Sequence, residues 1–191
     1  MTDTSPTLQT ATAAIPAQAR IGHVHLRVAD LERAVQFYHD TLGFEIVCNL
    51  GSAAFLAAGG YHHHLGLNTW ESAGGQPPAP GTTGLYHFAI NYPTRRDLAV
   101  ALKRLLDRGW SIDGAKDHTT HEAIYLHDPD HNGIELAWDR DPSYWKLWFG
   151  ATPEQMPALN KALDFDGLLA ELGETEAADA AKYLPTLRTY T

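Results

Sequence analysis

The sequence predicts an α+β fold in which a βαβββ unit occurs twice, followed by a helical C-terminal tail. Three observations predict it. The order strand, helix, three strands recurs over residues 21–71 and 85–141, and a Pro/Gly-rich linker at 72–84 separates the copies. His23 and His87 hold equivalent places, one near the start of each copy. Beyond residue 142 the period-2 alternation stops and short helical patterns take over.

Residues 1–20 are rich in Thr and Ala and show no apolar periodicity, which predicts a disordered tail rather than a secretory signal. The first unit opens with IGHVHLRV. Alternation there puts Val24, Leu26 and Val28 on one face and His23, His25 and Arg27 on the other. Asp30 suits a helix N-cap, Leu31, Ala34, Val35, Tyr38 and Leu42 form an apolar stripe, and Gly43 ends the helix. Strands are expected at Phe44–Cys48, Ala53–Ala57 and His62–Trp70, with turns at Gly51 and Gly59-Gly60.

The second unit opens with LYHFAIN, with Tyr86, Phe88 and Ile90 on the apolar face. Its helix begins near Thr94, carries Leu98, Ala101, Leu102 and Leu105 on one stripe, and stops at Gly109. Strands are expected at Asp117–His121, Ala123–His127 and Gly133–Trp138, with the DPDHNG turn between the last two. In the tail over residues 142–191, Thr152, Pro153 and Gln155 resemble a capping box, and a short helix fits Asp166–Leu172. Trp145, Leu147, Trp148 and Phe149 are expected to cover part of the core or to form a subunit contact.

Charge and composition exclude several functions. With 14 Lys plus Arg against 23 Asp plus Glu, the net charge is -9, which disfavours nucleic acid or an anionic membrane as partner. No apolar run reaches the roughly 18–20 residues a bilayer span requires. Cys48, alone in the sequence, cannot form an internal disulfide and points to a reducing, cytoplasmic setting.

The 11 histidines all lie between His23 and His131. The face opposite the core collects His23, His25, Arg27, His62, His64, Asn68, Trp70, His87, Asn91, Tyr125, His127 and Glu135. A solvated sheet face favours Lys, Glu and Thr. Imidazoles, a tyrosine and a carboxylate are instead the inventory of a metal site with acid/base groups. His63 is expected to face the apolar side, which would keep the His62-His63-His64 run from acting as one cluster.

IGHVHLRVADLERAVQFYHDTLGFEIV, GLYHFAI and DPDHNGIELAWD resemble the vicinal oxygen chelate superfamily, which includes glyoxalase I, bleomycin- and fosfomycin-resistance proteins and extradiol dioxygenases. GGYHHHLGLNTW, PPAPGTTGLYHFAI and the DH…EAIYL stretch look most like small catechol 2,3-dioxygenase-like proteins. The resemblance implies paired βαβββ modules forming a half-barrel around a divalent metal. It implies His23, His87 and Glu135 as ligands, with Gly66 at the fourth place by internal symmetry. A register shift of two would put His64 there instead. Two histidines and a carboxylate with open positions make the facial triad of a non-haem Fe(II) oxygenase, with Mn(II) or another divalent metal possible.

The resemblance further implies acid/base roles for Tyr125, ten residues before Glu135, and for a histidine upstream of it, His118 first and His121 second. His62 or His64 would supply another. The expected activity is an extradiol-type dioxygenase acting on a catechol-like small aromatic diol and O2, in a chain expected to be a homodimer. The alternatives are a glyoxalase-type lyase or isomerase, a thiol transferase, and a metal-free ligand-binding module of the bleomycin-resistance kind.

Overall fold

The computed structural model describes residues 14–190, so most of the expected N-terminal tail lies outside the described residues. The chain forms two four-stranded mixed sheets with helices, as the α+β reading expects. The first module runs β1 (Val24–Arg27), α1 (Leu31–Gln36), β2 (Glu45–Asn49), β3 (Ala53–Ala57) and β4 (Leu65–Asn68), in sheet order β1-β4-β3-β2. The second runs β5 (Phe88–Asn91), α2 (Arg95–Asp107), β6 (Gly114–Asp117), β7 (His121–His127) and β8 (Gly133–Asp139), in order β5-β8-β7-β6. In each module the first strand stands at one end of the sheet and pairs in parallel with the last. Those two strands are joined by a helical crossover and a meander, the connection a parallel pair needs.

Both helices start where the side chains dictate. Asp30 accepts from the Arg33 N–H at 3.1 Å, and Thr94 accepts from the Asp97 N–H at 3.1 Å. The first helix does not run regularly to Gly43. Over Phe37–Thr41 it widens into a π turn, with the Leu42 N–H bonded to the Phe37 carbonyl at 3.1 Å. That turn keeps Phe37, Tyr38 and Thr41 all buried.

One hydrophobic core spans both modules. Polar contacts tie them as well. The Tyr38 hydroxyl donates to Asp128 at 2.9 Å, and burial first, then Asp128, pushes that phenol well above its usual pKa. Asp130 Oδ1 accepts from the Ala29 N–H at 3.2 Å and from Arg33 at 2.5 Å. Asp130 Oδ2 is buried without a partner among the described residues.

The C-terminal segment holds short helices α3 (Pro142–Trp145), α4 (Met156–Leu159), α5 (Phe165–Leu169), α6 (Glu174–Ala180) and α7 (Leu184–Leu187). Phe165, Leu168, Leu169 and Leu172 are buried in the shared core, and the helix expected at Asp166–Leu172 lies at Phe165–Leu169. Arg95 anchors the segment: its Nε donates to Glu122 at 2.9 Å and its Nη1 to the Gly167 carbonyl at 2.7 Å. Lys161 pairs through its backbone with Asp117. Among the described residues no helix is long and apolar enough to cross a membrane.

Several local expectations are corrected. The strand expected at His62–Trp70 begins only at Leu65, so His62, His63 and His64 occupy the connection before it. The strand expected at Asp117–His121 lies at Gly114–Asp117, and the next begins at His121 rather than Ala123. Tyr86 precedes β5 and is 90% exposed, not on the core face. Only the Gln155 half of the capping box forms: Gln155 Oε1 accepts from the Thr152 N–H at 2.9 Å, and the helix starts later, at Met156. Trp145, Leu147, Trp148 and Phe149 do not cover the core; all four are exposed, Phe149 by 78%.

Candidate metal centre and acid–base site

Strand pairing sets the geometry. In the second module Ala89 lies opposite Glu135 in the parallel pair, and Tyr125 lies opposite Glu135 in the antiparallel one. Alternation therefore turns Tyr125 and Glu135 to the same face. His87 joins them one residue before β5, and its approach depends on Gly133. A Cβ there would lie 2.0 Å from the Tyr86 carbonyl oxygen and 3.1 Å from the His87 Cβ, so no side chain fits.

Glu135 is buried, 7% exposed, and its partners are imidazoles. His87 Nε2 is 2.9 Å from Oε2, and His121 Nε2 is 3.1 Å from Oε1. Burial pushes the carboxyl up, but the hydrogen bond from His121 and the fields of His121, His87 and His118 outweigh it and hold Glu135 below the usual carboxylate range. A second pair adjoins this one. The Tyr125 hydroxyl is 2.6 Å from His118 Nε2, and His118 Nδ1 meets Asn160 Oδ1. Burial, then Glu135 and Tyr86, pushes the Tyr125 phenol up to about 12, so it stays protonated and can donate. The His118 and His121 rings stack at 4.6 Å, and Trp148 lies edge-on to His118 at 6.0 Å.

The first module presents a different set. The His23 ring lies 4.4 Å from that of His63, which also meets Phe55 at 5.0 Å and has its Nδ1 2.8 Å from His62 Nδ1. His63 thus faces the histidine cluster, contrary to the expectation that it faces the core. Burial, then repulsion from His23, His62, His25 and His64, holds His63 below the usual imidazole value. His64 Nδ1 instead accepts from the Ala58 N–H at 3.2 Å, which ties the turn. The register pairs His25 with Gly66, so Gly66 is the counterpart of Glu135 and His64 the counterpart of Gly133.

Of the expected ligands, the structure brings His87 and Glu135 together and seats His23 with His63. Among the described residues no three His, Cys, Asp or Glu side chains are grouped to hold a metal ion as they stand. The His87–Glu135 pair nevertheless fits one. A separation of 2.9 Å is that of two adjacent donors around a small divalent ion with bonds of about 2.1 Å. A buried carboxylate answered by two imidazole nitrogens is also the donor chemistry such ions take. Sequence reasoning ranked His121 second and missed Asn160. His121 opens β7 on the Tyr125 face, a signal that correct strand bounds would have given.

A profile of the glyoxalase/bleomycin resistance protein/dioxygenase superfamily matches residues 20–136. The chain belongs to that superfamily. The match takes in His23, His87, His118, His121, Tyr125 and Glu135, and ends before Trp148 and Asn160. Catechol-2,3-dioxygenase of Bacillus subtilis (strain 168) is 40% identical over 154 residues, covering 81% of this chain and 52% of its own length. Biphenyl-2,3-diol 1,2-dioxygenase 3 of Rhodococcus globerulus is 32% identical over 120 residues, covering 63% of each chain. The chain thus spans about half the length of the Bacillus relative and less than two thirds of the Rhodococcus one. A glyoxalase/dioxygenase structure from Nostoc punctiforme superposes with a TM-score of 0.56 at 20% identity, over 68% of this chain and 98% of that one, a likeness of fold.

Proposed function

We propose that this superfamily member is an Fe(II)-dependent extradiol-type dioxygenase acting on a catechol-like small aromatic diol and O2. The observation that carries the reading is the adjacency of two pairs, His87–Glu135 and Tyr125–His118, on one sheet face. His87 and Glu135, with His23 from the first module, would hold the metal, and Mn(II) suits the same donors. When bound, the metal supplies open positions where both diol oxygens and O2 meet, and a path for electrons from ring to oxygen.

The chain's own groups handle protons and position. Glu135 stays ionised and supplies the negative charge that favours a cation. Tyr125 keeps its proton at neutral pH, so it serves as a hydrogen-bond donor and relay, not as the base. His118 Nε2, 2.6 Å away, is the atom that takes a proton passed through that hydroxyl and returns it later. His63, beside His23 and with its pKa held down by burial and the neighbouring imidazoles, would accept the proton of a second diol oxygen. The names of the two relatives, both dioxygenases of vicinal aromatic diols, support the substrate class.

Gly66 weighs against the glyoxalase-type reading, which asks for a fourth side-chain ligand. A Cβ at Gly66 would lie 2.8 Å from the His25 ring, so that space is already filled. The deciding experiment is elemental analysis of protein purified without chelator, followed by anaerobic Fe(II) loading and mixing with catechol in air. About one metal per chain and a yellow ring-opened product are expected. A chain that takes up no iron or manganese would overturn the reading.

A further inference from the structure

His118 is gripped by the C-terminal segment. Asn160 Nδ2 donates to the Met156 carbonyl at 2.9 Å, and a carbonyl can only accept. The amide is therefore oriented with Oδ1 toward His118, where it meets Nδ1. An amide oxygen can only accept, so Nδ1 must carry the hydrogen. In a neutral imidazole that leaves Nε2 as a bare lone pair, and Nε2 is the atom 2.6 Å from the Tyr125 hydroxyl. The three groups form a directed line in which the phenol O–H donates to Nε2 and Nδ1–H donates to the amide.

The surrounding contacts keep that line in place. Trp148 Nε1–H donates to the His118 carbonyl at 3.1 Å, and the Thr119 hydroxyl donates to the Leu159 carbonyl at 3.1 Å. The backbones of Asp117 and Lys161 exchange hydrogen bonds of 3.0 and 2.7 Å. Thr119 has φ 69°, a left-handed conformation that a β-branched residue adopts only under constraint. The segment thus fixes residues 117–119 by backbone, and Asn160 fixes the ring.

We propose that Asn160 is a positioning residue, which holds His118 in the Nδ1–H tautomer with Nε2 free to accept from Tyr125. Free imidazole side chains favour the opposite tautomer, so an uncoupled His118 would present Nε2–H to the phenol and could not take its proton. The inference deepens the dioxygenase reading and rests on it for what the proton transfer serves, but the tautomer itself does not depend on it.

The test is long-range ¹⁵N–¹H NMR of the imidazoles in the full chain with Zn(II) added in place of paramagnetic iron, the His118 signals being assigned by their loss in His118→Phe. Wild type should show His118 as Nδ1–H. Asn160→Ala should shift the majority to Nε2–H, and Asn160→Asp, which still accepts from Nδ1–H, should restore Nδ1–H. In the iron-loaded enzyme Asn160→Ala should lower kcat about 10- to 100-fold with KM changed less than about threefold. His118 found as Nε2–H in wild type would overturn the proposal, and so would an Nδ1–H signal indifferent to Asn160→Ala. The expected tautomers in a chain that cleaves no diol would uphold Asn160's role and sink the dioxygenase reading alone.

Discussion

The two modules share strand order and pairing, yet they treat the same position oppositely. Where the parallel pair of the second module carries Glu135, that of the first carries Gly66, with the His25 ring filling the space between Phe55 and Trp70. Two residues earlier the contrast inverts, with His64 in the first module and Gly133 in the second. Each module therefore has a glycine where the other has a functional group, and each glycine admits a histidine: Gly66 the ring of His25, Gly133 the approach of His87. A repeated fold lets one half hold a carboxylate while the other offers only imidazoles and aromatic walls. The C-terminal segment adds to this asymmetry, since it packs on α2, pairs with Asp117 of β6 and bonds the Thr119 turn, all in the second module.

Removing the carboxylate should erase the contrast with the largest effect. Glu135→Ala is expected to lose metal to below a tenth of the wild-type stoichiometry and to lower turnover by at least about 10³-fold. Elemental analysis and oxygen uptake check this; retained metal would mean that other donors hold it. Next come the two glycines. Gly133→Ala meets a backbone carbonyl that cannot rotate away and should cost about 3 kcal/mol or more in urea unfolding. Gly66→Ala meets a side chain that can turn, and should cost about 1–2 kcal/mol. Equal costs would show that the two positions are not opposed in the way the geometry implies. Tyr125→Phe should leave metal content unchanged while slowing turnover about 10²-fold, a difference that elemental analysis and steady-state kinetics together resolve.

The smallest effect concerns acid. Burial works against the Asp117 charge, but hydrogen bonds from Arg140 and from the Thr119 N–H outweigh it and hold its carboxyl below the usual carboxylate range. Stability from this pair is thus fully present above the ordinary aspartate pKa and is lost as pH falls through the lower folded value. Release of the C-terminal segment is expected only in acid below the ordinary carboxylate range, read as a change in tryptophan fluorescence before the far-ultraviolet circular dichroism collapses. A segment that stays docked until global unfolding would show that Asp117–Arg140 is not what secures it.

Much of this was legible in the sequence because alternation and helical spacing are local signals. The doubled unit, both N-caps, and the shared face of Tyr125 and Glu135 follow from period and chain order alone. The errors fell where no local residue announces a turn. Thr119 adopts φ 69° without being Gly or Asn, so the local pattern runs a strand on through to His121, which in the fold opens the next one. The three consecutive histidines carry neither a breaker nor a clear alternation, and β4 was started three residues early. Asn160 was invisible for a different reason. Its role arises from packing against His118, 42 residues away, and nothing in its own neighbourhood hints at it.

The pairing of Lys161 with Asp117 has one further consequence. It lies on β6, an end strand of its sheet, whereas β2, an end strand of the other, has all five of its residues exposed. An end strand with free N–H and C=O groups is a template for neighbouring chains, and a covered one is not. A chain shortened before Lys161 would therefore uncover a further adhesive edge, and its first symptom would be aggregation during refolding.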